Sequence, residues 1–174
     1  MDVSEFECFL QEYEKDIFSF CCYLTMNSDK ADDLYQDTVL QAFEMIEKID
    51  VSNNPKSFFF SIAVGKWKNA RRKTKRRNKI APTILFGDFT GDLIGGIEPE
   101  HQTQITIFMD CINATLSKMD DKFKIPLILF YFDGCNDDSI SKICNIPKGT
   151  VKSRLHKGRK ILKEALEKEG FNYE

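Results

Sequence analysis

Apolar side chains return at three- and four-residue steps along most of this chain, the pattern of helices that bury one face. Over residues 4–25 the repeating set is Phe6, Phe9, Leu10, Tyr13, Ile17, Phe20, Cys21 and Leu24. Asn27, Ser28 and Asp29 then interrupt the period and offer capping side chains for a second helix, about 29–49. Its inward side carries Ala31, Leu34, Thr38, Val39, Ala42, Ile46 and Ile49, and its Asp-rich first turns suit a positive helix N-terminus. A turn-rich stretch at 50–55 leads to a third helix, about 56–75, with Phe58, Phe59, Ile62 and Ala63 inward. Short connections between three such helices predict one compact bundle.

The period then fails. Across 80–101, Gly87, Gly91, Gly95, Gly96, Pro82 and Pro99 break any helical or strand pattern, and Asp88, Asp92, Glu98 and Glu100 make the stretch acidic, which predicts a flexible acidic linker. Helical spacing resumes with Ile105, Phe108, Met109, Ile112, Leu116 and Met119. An apolar helix at 124–132 follows, with Pro126 expected in its first turn, where a proline forfeits little. Two last helices are expected at 138–144 and 148–169. The predicted fold is all-α, with small helical domains at 1–79 and 102–174 joined by the linker at 80–101.

Composition narrows the class. A hydrophobic content of 42% with 30% charged residues is that of a globular chain. No apolar run approaches the ~20 residues of a membrane-spanning helix. The acidic start MDVSEFECF lacks a basic n-region and an apolar h-region, so a cytoplasmic location is expected. Cys8, Cys21, Cys22, Cys111, Cys135 and Cys144 form no CxxC, and His101 and His156 stand apart from them, so they read as reduced, small hydrophobes. No metal, cofactor or catalytic constellation is expected. A nuclease built on Asp32, Asp33, Asp37 or on Asp137 and Asp138 would lack any histidine beside its carboxylates.

The net charge of −2 hides an uneven distribution. Lys66, Lys68, Arg71, Arg72, Lys73, Lys75, Arg76, Arg77 and Lys79 form one basic run, and Lys148, Lys152, Arg154, Lys157, Arg159, Lys160 and Lys163 another, neither containing an acid. Two basic surfaces on an otherwise acidic chain imply two places where phosphate is met. The second run belongs to DDSISKICNIPKGTVKSRLHKGRKIL at 137–162. Here a short helix, a tight turn at Asn145, Ile146 and Pro147, and a longer helix with Val151, Leu155, Gly158 and Leu162 on its buried seam make a helix-turn-helix. The opposite face presents Lys152, Ser153, His156 and Lys160, flanked by Lys148 and Lys157, a set suited to base edges and phosphates.

This stretch, IPKGTVKSRLHKGRKIL, resembles the region-4 signature of the sigma-70 family, in particular the extracytoplasmic-function (group IV) sigma factors. Ser139, Ile140 and Ser141 stand where that pattern has Glu-Ile-Ala, which lowers the helix propensity there. Independently, Asp32, Asp33, Leu34, Tyr35, Gln36 and Asp37 are similar to the "DLxQ(E/D)" of region 2. FFFSIAVGKWKNARR at 58–72 is similar to the element that opens and reads −10 DNA, with Phe58, Gly65 and Asn69 replacing its frequent Trp, Asn and Asp.

The resemblance implies a promoter-recognition subunit that joins core RNA polymerase through its β′ clamp and β flap and meets promoter DNA both as duplex and as melted single strand. Asp33, Leu34, Gln36 and Asp37 would contact the polymerase. Asn53, Asn54, Ser57, Phe58, Lys66, Trp67, Asn69, Arg72 and Lys73 would hold the −10 element, the loop before Phe58 capturing a base by its Watson–Crick edge and the aromatics stacking on the strand. Lys148, Thr150, Lys152, Ser153, Arg154, His156 and Lys157 would read the −35 element. The acidic linker would thread the polymerase cleft, and an anti-sigma factor would hold the protein in reserve. The alternative, a helix-turn-helix regulator that never joins the polymerase, accounts for 137–163 and leaves 32–37 and 56–79 without a role.

Overall fold

The computed structural model describes residues 2–50, 54–80 and 99–171, the side chains of 78–80 and 99–104 excepted. Among the described residues the secondary structure is helical. The helices are α1 (Val3–Thr25), α2 (Ser28–Glu44), α3 (Pro55–Ile80), α4 (Pro99–Lys118), α5 (Asp121–Tyr131), α6 (Asp137–Cys144) and α7 (Lys148–Lys168), with a 3₁₀ turn at Ile46–Lys48. Most of the expected linker, 81–98, lies outside the described residues.

Short polar side chains fix the helix starts. Asp2 and Glu5 form a reciprocal capping box on α1, both bonds 2.8 Å. Asn27 accepts from the Lys30 amide on α2, and Asn136 from the Ser139 amide on α6, each at 2.9 Å. Asp120 caps α5 through the Lys122 amide, 3.1 Å, so this helix begins before the expected residue 124. Pro126 therefore sits in its second turn rather than its first, where the missing amide costs the Lys122 carbonyl its helical partner.

In the N-terminal group α1, α2 and α3 enclose Ile17, Leu24, Ala31, Ala42, Phe59 and Ala63, none of them exposed at all. Phe59 stacks on Phe9 at 5.0 Å and meets Phe6 at 5.8 Å, while Phe60 meets Phe20 at 4.3 Å. Phe60, unassigned in the pattern of the third helix, is as deeply buried as Phe59. The C-terminal group encloses Leu116, Ile125, Ile128, Ile140, Val151 and Leu155. Gly158 lets α5 and α7 approach closely, since a β-carbon there would lie 2.7 Å from Leu127 Cδ1.

The two groups also pack on each other, α1 against α5 and α3 against α6. Buried side chains of both belong to one continuous cluster. At the seam Tyr23 and Phe132 lie 3.9 Å apart, and Lys124 is inserted with only 2% exposure. Its ammonium donates to the Leu24 carbonyl at 2.8 Å. That carbonyl is one of the last in α1, a helix without a basic residue in its own final turn. A lysine 100 positions away thus supplies the cation that the negative end of α1 attracts.

Candidate nucleic-acid interfaces

The turn between α6 and α7 is built from three local choices. Asn145 takes the left-handed conformation (φ 52°) that ends α6. The Ser141 hydroxyl donates to the Ile146 carbonyl at 2.6 Å, while the Ile146 amide returns a bond to the Ser141 carbonyl at 3.1 Å. The serine that lowers helix propensity therefore ties the turn together. Pro147 precedes the first residue of α7, where its fixed φ suits helix entry.

On α7, Val151 and Leu155 are buried, and Lys148, Lys152, Ser153, His156, Lys157 and Lys160 are exposed. Thr150 and Arg154 are half-buried at the margin. Lys148 pairs with Asp138, the Ser153 hydroxyl donates to the Thr150 carbonyl at 3.0 Å, and Lys157 lies over the Phe123 ring at 5.4 Å. Arg159, outside the expected contact set, donates from Nε to the Tyr131 hydroxyl at 2.9 Å and lies over Phe130 at 4.9 Å. Its position one turn beyond Leu155 gave no sign of this staple, because Tyr131 belongs to another helix.

The second basic surface is α3. Asn54, also left-handed (φ 52°), receives the Ser57 amide on its carbonyl at 3.0 Å and its side-chain oxygen at 3.3 Å. Asn53 lies outside the described residues. Asn54, Pro55, Ser57, Phe58 and Ser61 line a cleft that is walled on its far side by Lys142 and Ile143 of α6. Phe58 is half-buried and Lys66 likewise, while Asn69, Arg72 and Lys73 are exposed and share a basic groove with Arg76 and Arg77. Trp67 is placed differently from an open stacking platform. It is 9% exposed, with the Arg71 guanidinium 5.5 Å and the Lys124 ammonium 5.4 Å from its ring, and its buried Nε1 has no hydrogen-bond partner. An orphaned donor of this kind costs about 1–3 kcal/mol.

A third surface is acidic. Asp33, Gln36 and Asp37 are exposed on α2, whereas Leu34 is 7% exposed and packs inward, away from that face. Leu40 (63%) and Phe43 (48%) continue the same face for two more turns. Their spacing from Gln36 was visible in the sequence, but apolar residues at such steps also fit the core side of a helix.

Charge at these surfaces follows their surroundings. Burial alone would depress the Lys56 ammonium, yet its hydrogen bonds to Asp133 (2.5 Å) and Asp16 (3.0 Å) hold it above the ordinary lysine value. Burial lowers Lys124, and Asp121 at 3.6 Å offsets this only in part. The cysteines are unpaired, and burial pushes the thiols of Cys21 and Cys135 up to about 12 and that of Cys144 to about 11. Such thiols stay protonated and behave as packing groups. No group of three or more His, Cys, Asp or Glu side chains among the described residues is arranged to hold a metal ion.

Two family models match the chain: Sigma-70 region 2 over residues 9–77 and Sigma-70, region 4 over residues 109–162. The chain is 31% identical over 170 residues to the ECF RNA polymerase sigma factor SigM of Bacillus subtilis, covering 94% of this chain and 96% of that one. It is 26% identical over 169 residues to SigW of the same organism, covering 95% and 90%. Among solved structures, the sigma factor RpoE of Bartonella quintana, determined with the anti-sigma factor NepR, shares the fold with a TM-score of 0.81 at 22% identity, over 95% of this chain and 98% of that one. CnrH, determined with the cytosolic domain of CnrY, aligns with a TM-score of 0.66 at 14% identity, over 95% and 90%. With a region-2 helix bundle, a region-4 helix-turn-helix and relatives spanning nearly its full length, the chain belongs to the ECF RNA polymerase sigma factors.

Proposed function

We propose that this sigma factor divides its work among the three surfaces just described. Asp33, Gln36 and Asp37, extended by Leu40 and Phe43, dock on the clamp of core RNA polymerase, with acidic groups around an exposed apolar pair. The groove between α4 and α7, lined by Cys111, Thr115, Met119, Phe123, Ile161 and Ala165, takes the flap. The α7 face from Lys148 to Lys157 enters the major groove of the −35 element. Asn54, Ser57 and Phe58 capture a base of the melted −10 strand while Asn69, Arg72 and Lys73 hold its phosphates. The observation that carries this reading is the placement of an exposed basic helix face directly behind a capped helix-turn-helix turn. The work is binding, and no side chain is assigned to bond-making. No described helix is long and apolar enough to cross a membrane, and the site of action is the cytoplasm. An anti-sigma factor, of the kind that NepR is for the solved RpoE, holds the protein in reserve.

The division of labour is testable by comigration with bacterial core polymerase and run-off transcription from a promoter library. Lys152→Ala with Ser153→Ala is expected to leave comigration intact and to reduce −35-dependent initiation by about tenfold or more, since a specific base contact is worth ~1–3 kcal/mol. Asp33→Ala with Gln36→Ala should weaken comigration while leaving duplex binding by the helix-turn-helix unchanged. Equal loss of both activities in both double variants would refute the assignment.

A further inference from the structure

We propose that Arg159 and Tyr131 form a preset grip on one phosphate of the −35 duplex, at the rim of the groove that α7 enters. The grip presupposes the −35 reading of α7 given above. It adds a contact from outside the helix-turn-helix pair, since Tyr131 closes α5.

Helix geometry places Arg159 on the DNA-facing side. It follows Lys152 by seven residues, which is ~20° short of two full turns and about 10 Å further along the axis. Both side chains are exposed. A recognition helix enters the major groove by its N-terminus, so base edges meet its first turns. Side chains two turns on have left the groove floor and reach the sugar-phosphate rim instead.

What marks Arg159 out is its surroundings. Three lysines of α7 are paired with carboxylates: Lys148 with Asp138, Lys160 with Glu164 at 3.8 Å and Lys163 with Glu167 at 3.6 Å. The Arg159 guanidinium lies instead among neutral aromatic groups. It is over the Phe130 ring at 4.9 Å and the Tyr131 ring at 5.6 Å, and those two rings meet edge to face at 75°. Its Nε donates to the Tyr131 hydroxyl at 2.9 Å. Two rings and one hydrogen bond therefore hold the side chain before any ligand arrives, which lowers the entropy lost on binding. The platform is firmly seated. Residues Lys124 to Leu129 of α5 are buried, and Gly158, directly before Arg159, lets α5 approach α7 at this level.

The free donors fit a phosphate. With Nε engaged, Arg159 keeps the N–H bonds of both terminal nitrogens, a fork that can meet two phosphate oxygens. A phenol hydroxyl that accepts from Nε still has its own proton to give. Tyr131 is 57% exposed, which leaves that proton within reach of a ligand. A held cation with a neutral donor beside it is a site for an anion, and the anion at the rim of a DNA groove is the backbone phosphate.

The test uses holoenzyme reconstituted with core polymerase and two fluorescein-labelled duplexes. One carries a −35 element selected by run-off transcription, and the other has that element scrambled. Affinities are measured over a tenfold range of potassium chloride concentration. Arg159→Gln removes the charge but keeps most of the stem on Phe130. It is expected to weaken binding to both duplexes alike, by about tenfold at low salt, and to reduce the slope of log K against log salt by about one. Arg159→Lys should restore the slope but only part of the affinity, because an ammonium is a point charge without the fork. Tyr131→Phe keeps the ring and the charge, and should lose affinity severalfold at an unchanged slope.

Unchanged affinity and slope in Arg159→Gln would overturn the grip. So would a loss confined to the selected duplex, since Arg159 would then act by aiming α7 at bases. Full affinity in Tyr131→Phe or in Arg159→Lys would overturn the joint action of the two side chains. Lys152→Ala with Ser153→Ala tests the underlying reading by itself and should erase the difference between the duplexes. A difference that survives there refutes the −35 reading, whereas a slope that survives Arg159→Gln refutes only the grip.

Discussion

Replacing Gly158 by valine is expected to cost the C-terminal helices about 3 kcal/mol and to abolish specific duplex binding. The β-carbon of any residue at this position would lie 2.7 Å from Leu127 Cδ1 and 2.9 Å from its Cγ. Leu127 is 2% exposed and enclosed by neighbours, so it has little room to swing aside. Overpacking of this kind costs ~1–3 kcal/mol, with the β-branched residue at the upper end. Alanine should be milder, because it gains up to ~1 kcal/mol of helix propensity over glycine against its smaller clash. The consequence reaches DNA because Gly158 is on the helix that carries Lys152, Ser153 and His156. Forcing α7 away from α5 re-aims those side chains relative to the turn. Urea unfolding followed by circular dichroism, together with filter binding to a selected duplex, checks both halves of the expectation. A valine variant of unaltered stability and affinity would show that the α5–α7 approach is not a constraint.

Phe59→Ala should be more damaging still, by about 3–5 kcal/mol, the usual cost of deleting a fully buried phenylalanine. The ring has no exposure and is held against Phe9 and Phe6, so its removal leaves a cavity between α1 and α3. For a domain stable by only ~5–15 kcal/mol this is a large fraction of the total. The adjacent Phe58→Ala provides the control. Phe58 is half-buried and meets Phe59 edge-on at 6.5 Å, so its loss should cost about 1 kcal/mol while impairing open-complex formation. Denaturant unfolding separates the two. Equal stability losses would mean that both rings belong to the core and that the −10 assignment of Phe58 is mistaken.

These neighbouring phenylalanines illustrate what the sequence could reveal. Helical period is a local property, so the helices, the cap before α2 and the helix-turn-helix were legible from spacing and side-chain chemistry, whereas Asp120 as the cap of α5 was not. The basic face of α7 followed from the same arithmetic once its seam was fixed by Val151, Leu155 and Gly158. Leu34 resisted it, since one residue was expected both to face inward and to meet a partner, and burial favours the first. Leu40 and Phe43 show the converse: apolar side chains at helical steps look alike whether they face the core or water. Nothing in the sequence pointed to Arg159 on Tyr131, Lys56 on Asp133 or Lys124 on Leu24. Each pairs residues distant along the chain, and no periodicity encodes which helix ends come to lie together.

Lys124 has a consequence for how the molecule comes apart. Because it answers the final carbonyls of α1 from the other half of the chain, neither half holds all of its own native interactions. A fragment comprising α1 to α3 alone would leave that helix end facing solvent without its cation, and a fragment comprising α4 to α7 would return Lys124 to water but expose the apolar residues that now surround it. The two halves are therefore coupled when the protein unfolds: parting them takes from α1 the cation at its carbonyl end and from both the contact of Tyr23 with Phe132.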